Sequence, residues 1–315
     1  LALIGGKIIG ISLKPNSRIN LNKDKSLKKK VKNYYFDIRN FLKLKKIVKN
    51  ENPDIVIHLA AQSLVSESIN YPPDTFTTNI NGTINLLEAL RDSKKIRSIM
   101  LFTTDKVYRN LDNKKRFQED DPLGGDDPYS SSKASKEIIA NSYIKTFFSK
   151  KKIGLVTIRS GNIIGGGDWG KNRLIPDLIR FNFEGKKISI RSLDSTRPWH
   201  HILDVLNNIV CGTEKIWQNY KLSGPYNIGP KKQGITVREI IQKTSLKVPK
   251  KSSHKINIKE KKYLSLNTKK SLKTFNIKKS MNLEESIKLT INWYKKYYKK
   301  INISEIIKDD LKKYF

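Results

Sequence analysis

The stretch Ile99-Met100-Leu101-Phe102-Thr103-Thr104-Asp105-Lys106-Val107-Tyr108 decides the fold. An apolar run that ends abruptly in hydroxyls and charges reads as a buried parallel strand, delivering polar groups at its carboxyl end. Asp54-Ile55-Val56-Ile57-His58-Leu59-Ala60-Ala61-Gln62 has the same form upstream, and Ile153-Gly154-Leu155-Val156-Thr157-Ile158-Arg159-Ser160-Gly161-Asn162 has it downstream. Helix-like segments separate the three. That alternation is the pattern of an open α/β sheet, in which ligands bind outside the carboxyl ends of the strands.

Beyond the central strand comes Asp127-Pro128-Tyr129-Ser130-Ser131-Ser132-Lys133. Residues four apart share a helical face, so Lys133 is placed to favour the phenolate of Tyr129. An opposite charge within a few ångströms lowers an acid's pKa by about 1–3 units. That moves a phenol from about 10 toward the range of a base at neutral pH. The spacing alone is common on lysine-rich helices; the polar strand end before it gives it weight.

A chain of 315 residues can bury a full core in two lobes. The single cysteine, Cys211, excludes an internal disulfide framework and a cysteine-based zinc site, and fits a reducing, cytoplasmic setting. His58, His200 and His201 lack metal-ligand spacing, so no metal site is expected. No apolar run approaches the roughly 18–20 residues of a membrane span. The net charge of +34 raises nucleic acid as a partner. Lysine supplies most of that excess, however, and crowds segments 23–49 and 243–300 among Asn, Ser and Glu. The stretches 53–92 and 99–135 are not strongly basic, and no aromatic-basic RNA motif or zinc finger appears. A solvated basic surface fits this distribution better than a nucleic-acid face.

Along the chain, residues 1–6 read as a helix end with a glycine cap, and Lys7–Leu13 as a short strand. A strand is expected to end at Asp37-Ile38, followed by a basic helix. An amphipathic helix is expected from Asn79 to Ser93, and another is opened by Pro128. After Gly165-Gly166-Gly167-Asp168-Trp169 a helix runs from about Arg173 to Phe183. Ile188–Ile190 reads as a strand, Arg197–Val205 as the opening of a helix, and Pro225–Gly229 as a strand returning to the sheet. Further helices fall near 236–244, 283–298 and 303–314.

The blocks His58-Leu59-Ala60-Ala61-Gln62, Thr104-Asp105-Lys106, Asp121 to Lys133, Arg159 to Trp169 and Arg197-Pro198-Trp199 occur in that order. In them the sequence resembles the extended short-chain dehydrogenase/reductase superfamily, and within it the CDP-glucose 4,6-dehydratases, from Leu1 to about Tyr298. Lys106, where sister dehydratases carry Glu, and the Gly165–Trp169 block favour the CDP-sugar branch. The resemblance implies an α/β fold, a Rossmann-type doubly wound parallel sheet lacking its first strand, with a smaller C-terminal α+β lobe. Residues 1–165 would form the dinucleotide-binding domain, with 199–229 returning to it. Residues 166–198 and 230–315 would bind the sugar nucleotide.

Such enzymes oxidise the sugar at C4, eliminate water across C5–C6 and reduce C6, with NAD recycled, on the way to deoxysugars for surface polysaccharides. Tyr129 would take the C4 hydroxyl proton, Lys133 would lower its pKa and bind the nicotinamide ribose, and Thr104 would hydrogen-bond the C4 oxygen. Asp105 would be the acid at O6, which requires a raised pKa in a dry site. Lys106 would be either the C5 base or an electrostatic stabiliser of the enolate. The plain alternative is an Asp105–Lys106 ion pair at the surface.

The resemblance also implies cofactor contacts from Asp37, Ile38, Leu59, Ala60, Ala61, Gln62, Thr78 and Asn79, together with Tyr129 and Lys133; Asn79 serves equally as a helix N-cap. It implies substrate contacts from Ser63, Asn162, Arg173, Arg197 and Asn227, the arginines clamping the diphosphate. The glycine run either presents N–H groups to phosphate or is a plain loop. Trp169 and Trp199 shape the pocket or pack the core. A homodimer through helices 79–93 and 130–148 is expected. The family's glycine-rich turn would precede Leu1, and Asn267 stands where the family usually carries aspartate. No acidic residue follows Ile11 to hold an adenosine ribose, so the choice of NAD rests on the resemblance.

Overall fold

The structure, a computed structural model, describes residues 5–15, 29–248 apart from 189, 191 and 232, and 261–315. The helix end expected over Leu1–Ile4 lies outside them. Ile8–Ser12 (β1) pairs in parallel with Val31–Tyr35 (β2), Ile8 opposite Val31. A second block holds Ile55–His58 (β3), Ser98–Phe102 (β4), Gly154–Ser160 (β5) and Gly224–Ile228 (β6), in that order and all parallel. All seven residues of β5 are buried, as expected where helices cover both faces of a parallel sheet.

The two faces separate by residue parity. Ile99, Leu101 and Leu155 point to one side, against Leu44 and Val48 of helix Phe41–Glu51 (α1), Leu87 and Leu90 of Gly82–Arg91 (α2), and Ala140 of Pro128–Tyr143 (α3). Met100, Val156 and Ile158 point to the other, against Val205, Ile209 and Ile216 on one face of a long helix, Ile202–Gln218. Alternating strand residues thus fill two cores, which is the doubly wound α/β Rossmann-type architecture. Among the described residues no helix is long and apolar enough to cross a membrane.

Several local expectations are corrected. Asp37 and Ile38 lie past the end of β2, because the strand pairs with β1 only as far as Tyr35. Helical backbone begins at Pro72 and runs through a π-turn at Thr77–Asn81 into α2, so Asn79 is inside the helix and is not its N-cap. Ile188 and Ile190 form no strand; Ile188 is buried in a separate apolar cluster. The edge there is made by Thr196–Arg197, antiparallel to Ile235–Thr236. The helix expected from Arg197 starts at Ile202, after a two-residue strand at His200–His201. A short helix at Lys269–Thr274, with no apolar period to announce it, went unseen.

The separate cluster is drawn from Leu174–Glu184 (α4), Val237–Thr244, Leu283–Tyr298 and Ile303–Tyr314, with Ile179, Ile240, Ile291 and Tyr294 at its centre. Both helices that begin at 237 and 283 carry reciprocal capping boxes, Thr236 with Glu239 and Asn282 with Glu285. The glycine run packs here. A Cβ on Gly166 would lie 1.9 Å from Trp293 Cγ, and one on Gly165 2.4 Å from Ile202 Cγ2. Gly165 and Gly166 are therefore closely packed, one against the start of the helix at Ile202 and the other against the Trp293 ring. Gly166→Ala is expected to lose about 1–3 kcal/mol by overpacking; an unchanged urea midpoint would contradict that seat.

Candidate active site

The carboxyl ends of β3, β4 and β5 open on a cavity of about 420 Å³. Leu59, Ala61 and Ser63 reach it from β3, Thr104, Asp105 and Lys106 from β4, and Asn162 from β5. Tyr129 and Lys133 descend from α3, while Arg173 and Arg197 close the other side. Asp127 caps α3, accepting from Ser130 N at 3.0 Å, with Pro128 in the first turn, so the helix begins just where Tyr129 meets the cavity.

Thr104 links the two sides. Its Oγ1 donates to Asp105 Oδ1 at 3.1 Å and accepts from Lys106 N at 3.4 Å, and the same hydroxyl pulls the Tyr129 phenol down. Asp105 is 3% exposed, so it is not half of a surface ion pair. Burial raises its pKa against the pull of Lys106 and Arg197, the direction that an acid in a dry site needs. Its Oδ2 is buried without a hydrogen-bond partner among the described residues.

Tyr129 corrects the electrostatic expectation. Burial pushes the phenol up to about 12, and Thr104 and Arg173 pull only partly against it. Lys133 is not among the main groups pulling on the phenol: its Nζ stands 5.7 Å from the ring centre and donates to Phe102 O at 3.4 Å. Burial also draws the lysine down to about 8. Desolvation acts on both members of the pair, a term that helical spacing alone cannot report.

Other expected residues lie elsewhere. Asn227 is corrected: it is fully buried, accepting from Tyr108 OH at 2.6 Å and donating to the carbonyls of Phe117 and Asn267, because it ties β6 to the loop after β4. Asp37 is held by Arg39, which keeps its carboxyl below the usual range, and Arg39 also reaches Asp74. Ile38 packs over Gly82. Gln62 bonds Leu64 O and Thr75, and Asn79 bonds the Gln62 backbone and Ser132 Oγ at 2.8 Å, bracing the loop after β3 against α3. Ala60 and Thr78 do not line the cavity. His58 bonds Thr83 at 3.1 Å. Trp199 lines the cavity and the apolar cluster at once, while Trp169 packs among Trp293, Tyr294 and Tyr297.

Two features escaped the sequence. Asp168 pairs with Arg173 at 3.1 Å inside the cavity, a partnership hinted at only by the charge that ends the glycine run. Lys136 is fully buried beside Lys133 and also faces Phe102 O, at 3.5 Å; in a lysine-rich helix nothing marked it out.

A family profile described as GDP-mannose 4,6 dehydratase matches residues 8–306. Among curated proteins, a CDP-glucose 4,6-dehydratase of Salmonella typhimurium is 37% identical over 211 residues, covering 65% of this chain and 59% of that protein. A probable dTDP-glucose 4,6-dehydratase of Sinorhizobium fredii is 30% identical over 187 residues, covering 55% of this chain and 52% of that protein. The matched region thus spans less than two thirds of either relative. Among solved structures, dTDP-glucose 4,6-dehydratase from Bacillus anthracis in complex with NAD superposes with a TM-score of 0.76 at 27% identity, covering 93% of this chain and 89% of that one. With this sheet, this cavity and a profile that runs from β1 into the last helix, the chain belongs to the GDP-mannose 4,6 dehydratase family, within the NAD-dependent epimerase/dehydratase branch of the short-chain dehydrogenases.

Proposed function

We propose that the protein is a CDP-glucose 4,6-dehydratase, converting CDP-glucose to CDP-4-keto-6-deoxyglucose and water. The observation that carries this reading is the convergence of Thr104, Asp105, Lys106, Tyr129 and Lys133 on one cavity. Tyr129 takes the C4 hydroxyl proton, with Thr104 holding that oxygen. Oxidation at C4 acidifies the C5 proton, and Asp105 protonates the departing O6. Lys106, next to Asp105 at the same strand end and lining the same cavity, acts as the C5 base or steadies the enolate. Arg173 and Arg197 clamp the diphosphate, with Ser63 and Asn162 beside them.

The residues present fit NAD. Leu59 is 58% exposed at the mouth of β3, an apolar surface for a flat ring, and Lys133 has hydrogens to give beyond Phe102 O. When bound, NAD supplies the hydride acceptor and donor; Lys133, Leu59 and Ala61 would hold it. The lysine at position 106 and the Salmonella relative support CDP over other nucleotides. Incubation with CDP-glucose and NAD should yield alkali-induced keto-sugar absorbance. Turnover of dTDP- or UDP-glucose with none of CDP-glucose would move the assignment to another dehydratase or a 4-epimerase of the same superfamily.

We further infer a cytoplasmic homodimer contributing to deoxysugar and surface-polysaccharide synthesis. Ile138, 62% exposed on the outer face of α3, supports pairing through that helix. Sedimentation of the active protein as a monomer would contradict it.

A further inference from the structure

We propose that Lys136 is a positioning residue for Lys133: it keeps hold of the Phe102 carbonyl, so that Lys133 can leave that oxygen and turn into the cavity toward bound NAD. It deepens, and depends on, the reading of Lys133 above as a ligand of the cofactor.

Lys133 and Lys136 lie three apart on α3, and residues so spaced are neighbours on one helical face. Both reach the same oxygen. Lys133 Nζ donates to Phe102 O at 3.4 Å and Lys136 Nζ at 3.5 Å. The pairing of β3 with β4 closes at His58 opposite Leu101, one residue short of Phe102. Side chains from α3 thus reach a carbonyl where that ladder has stopped. A carbonyl has two lone pairs and can serve both amines, and with the acceptor shared both bonds are long.

Only one of the two lysines is placed to turn. Lys133 lines the cavity, whereas Lys136 is fully buried and does not. If Lys133 alone held Phe102 O, each turn toward a ligand would strip the carbonyl of its donor, with the ligand above it keeping water out. An acceptor left unmade in that way weakens binding. With Lys136 in place the oxygen stays paired whichever way Lys133 points, and the Lys136 bond can shorten once it is no longer shared.

The charges agree with this division. Glu137, the carboxylate that acts on both lysines, already accepts from Thr103, Thr157 and Arg159. Burial and Lys133 hold Lys136 well below its usual range, while Lys133 comes down to about 8. Burial and the two lysines likewise keep His58 of β3 neutral. A neutral amine on Lys136 still has N–H groups for Phe102 O and adds no second cation beside Lys133. The ammonium is therefore carried by Lys133, the lysine that faces the cavity.

The dissociation constant for NAD, measured by titration calorimetry on wild type, Lys133→Met, Lys136→Met and the double variant, tests the division. Lys136→Met keeps the volume and removes the donor, so it should weaken NAD by roughly 10-fold, the order expected when an acceptor is left bare. In the Lys133→Met background the same change should alter affinity by less than about twofold, because no amine then leaves Phe102 O. Equal losses in both backgrounds would mean that Lys136 only fills space, and overturn the proposal. Undiminished affinity in Lys136→Met, beside a weakened Lys133→Met, overturns it alone. Lys133→Met that binds NAD as tightly as wild type removes the cofactor role of Lys133 and the proposal together. Where a variant does not fold, a crystal structure of the wild-type NAD complex decides. There Lys136 should keep Phe102 O while Lys133 Nζ has moved to the cofactor; Lys133 still on that oxygen, or Lys136 drawn off it, overturns the proposal.

Discussion

Replacing Tyr129 by Phe is expected to lower kcat by about 10²–10⁴-fold, the span that a positioned general base contributes, with KM for the sugar nucleotide changing by less than about threefold. Only one oxygen is removed. The ring keeps its place on α3 beside Lys133, and Arg173 and Arg197, the proposed diphosphate ligands, line the cavity unchanged. The loss is large because the phenol is hard to ionise where it sits. Burial holds it near 12, so its conversion to a base depends on the cations and donors gathered round it, and no neighbouring carboxyl takes its place without losing its own task. Keto-sugar formation followed by alkaline absorbance checks the rate, and displacement of a bound nucleotide checks affinity. Near-normal turnover would remove Tyr129 from the chemistry.

The second large effect is on stability. Glu137, one turn beyond Lys133 on α3, is 5% exposed and accepts from Thr103 Oγ1 at 2.6 Å, from Thr157 Oγ1 and from Arg159 Nη2 at 3.0 Å. Arg159 is itself 3% exposed and also donates to Tyr108 OH and Glu119 O. Glu137→Leu leaves a buried guanidinium without its counter-charge and strands the Thr157 hydroxyl, while Thr103 Oγ1 keeps Ile158 O. Breaking a buried pair from one side costs about 3–5 kcal/mol, against a total of about 5–15 for a typical domain. Urea unfolding should therefore show a sharply lower midpoint, and a loss under about 1 kcal/mol would mean the network is dispensable. The double replacement Glu137→Leu with Arg159→Met should recover much of it, because the uncompensated charge is gone. This network sets how α3 lies over β4 and β5, and so where Tyr129 and Lys133 meet Thr104.

Much of the site was legible because its code is local. A strand buried on both faces must be apolar throughout and turn polar where it surfaces, so Thr104, Asp105 and Asn162 announced themselves. The four-residue step from Tyr129 to Lys133 needs only a helix, and Asp127-Pro128 supplies its start. Asn227 misled for the opposite reason. Its partner Tyr108 is 119 residues away in sequence, and no pattern near position 227 tells a residue that holds a loop from one that holds a ligand. Asn79 misled in the same way: its bonds to Gln62 and Ser132 cross from one segment to two others.

The amino-acid sequence alone determined the parallel α/β sheet, the strand ends that carry chemistry and the helix that brings a phenol and an amine to them, since hydrophobic period and helix start are written within a few residues. Tertiary structure alone decided the proton affinities of Tyr129, Asp105 and Lys133, the hidden Lys136 and the packed seat of Gly166. Desolvation and close contact depend on which distant segments cover a group, and folding is what chooses them.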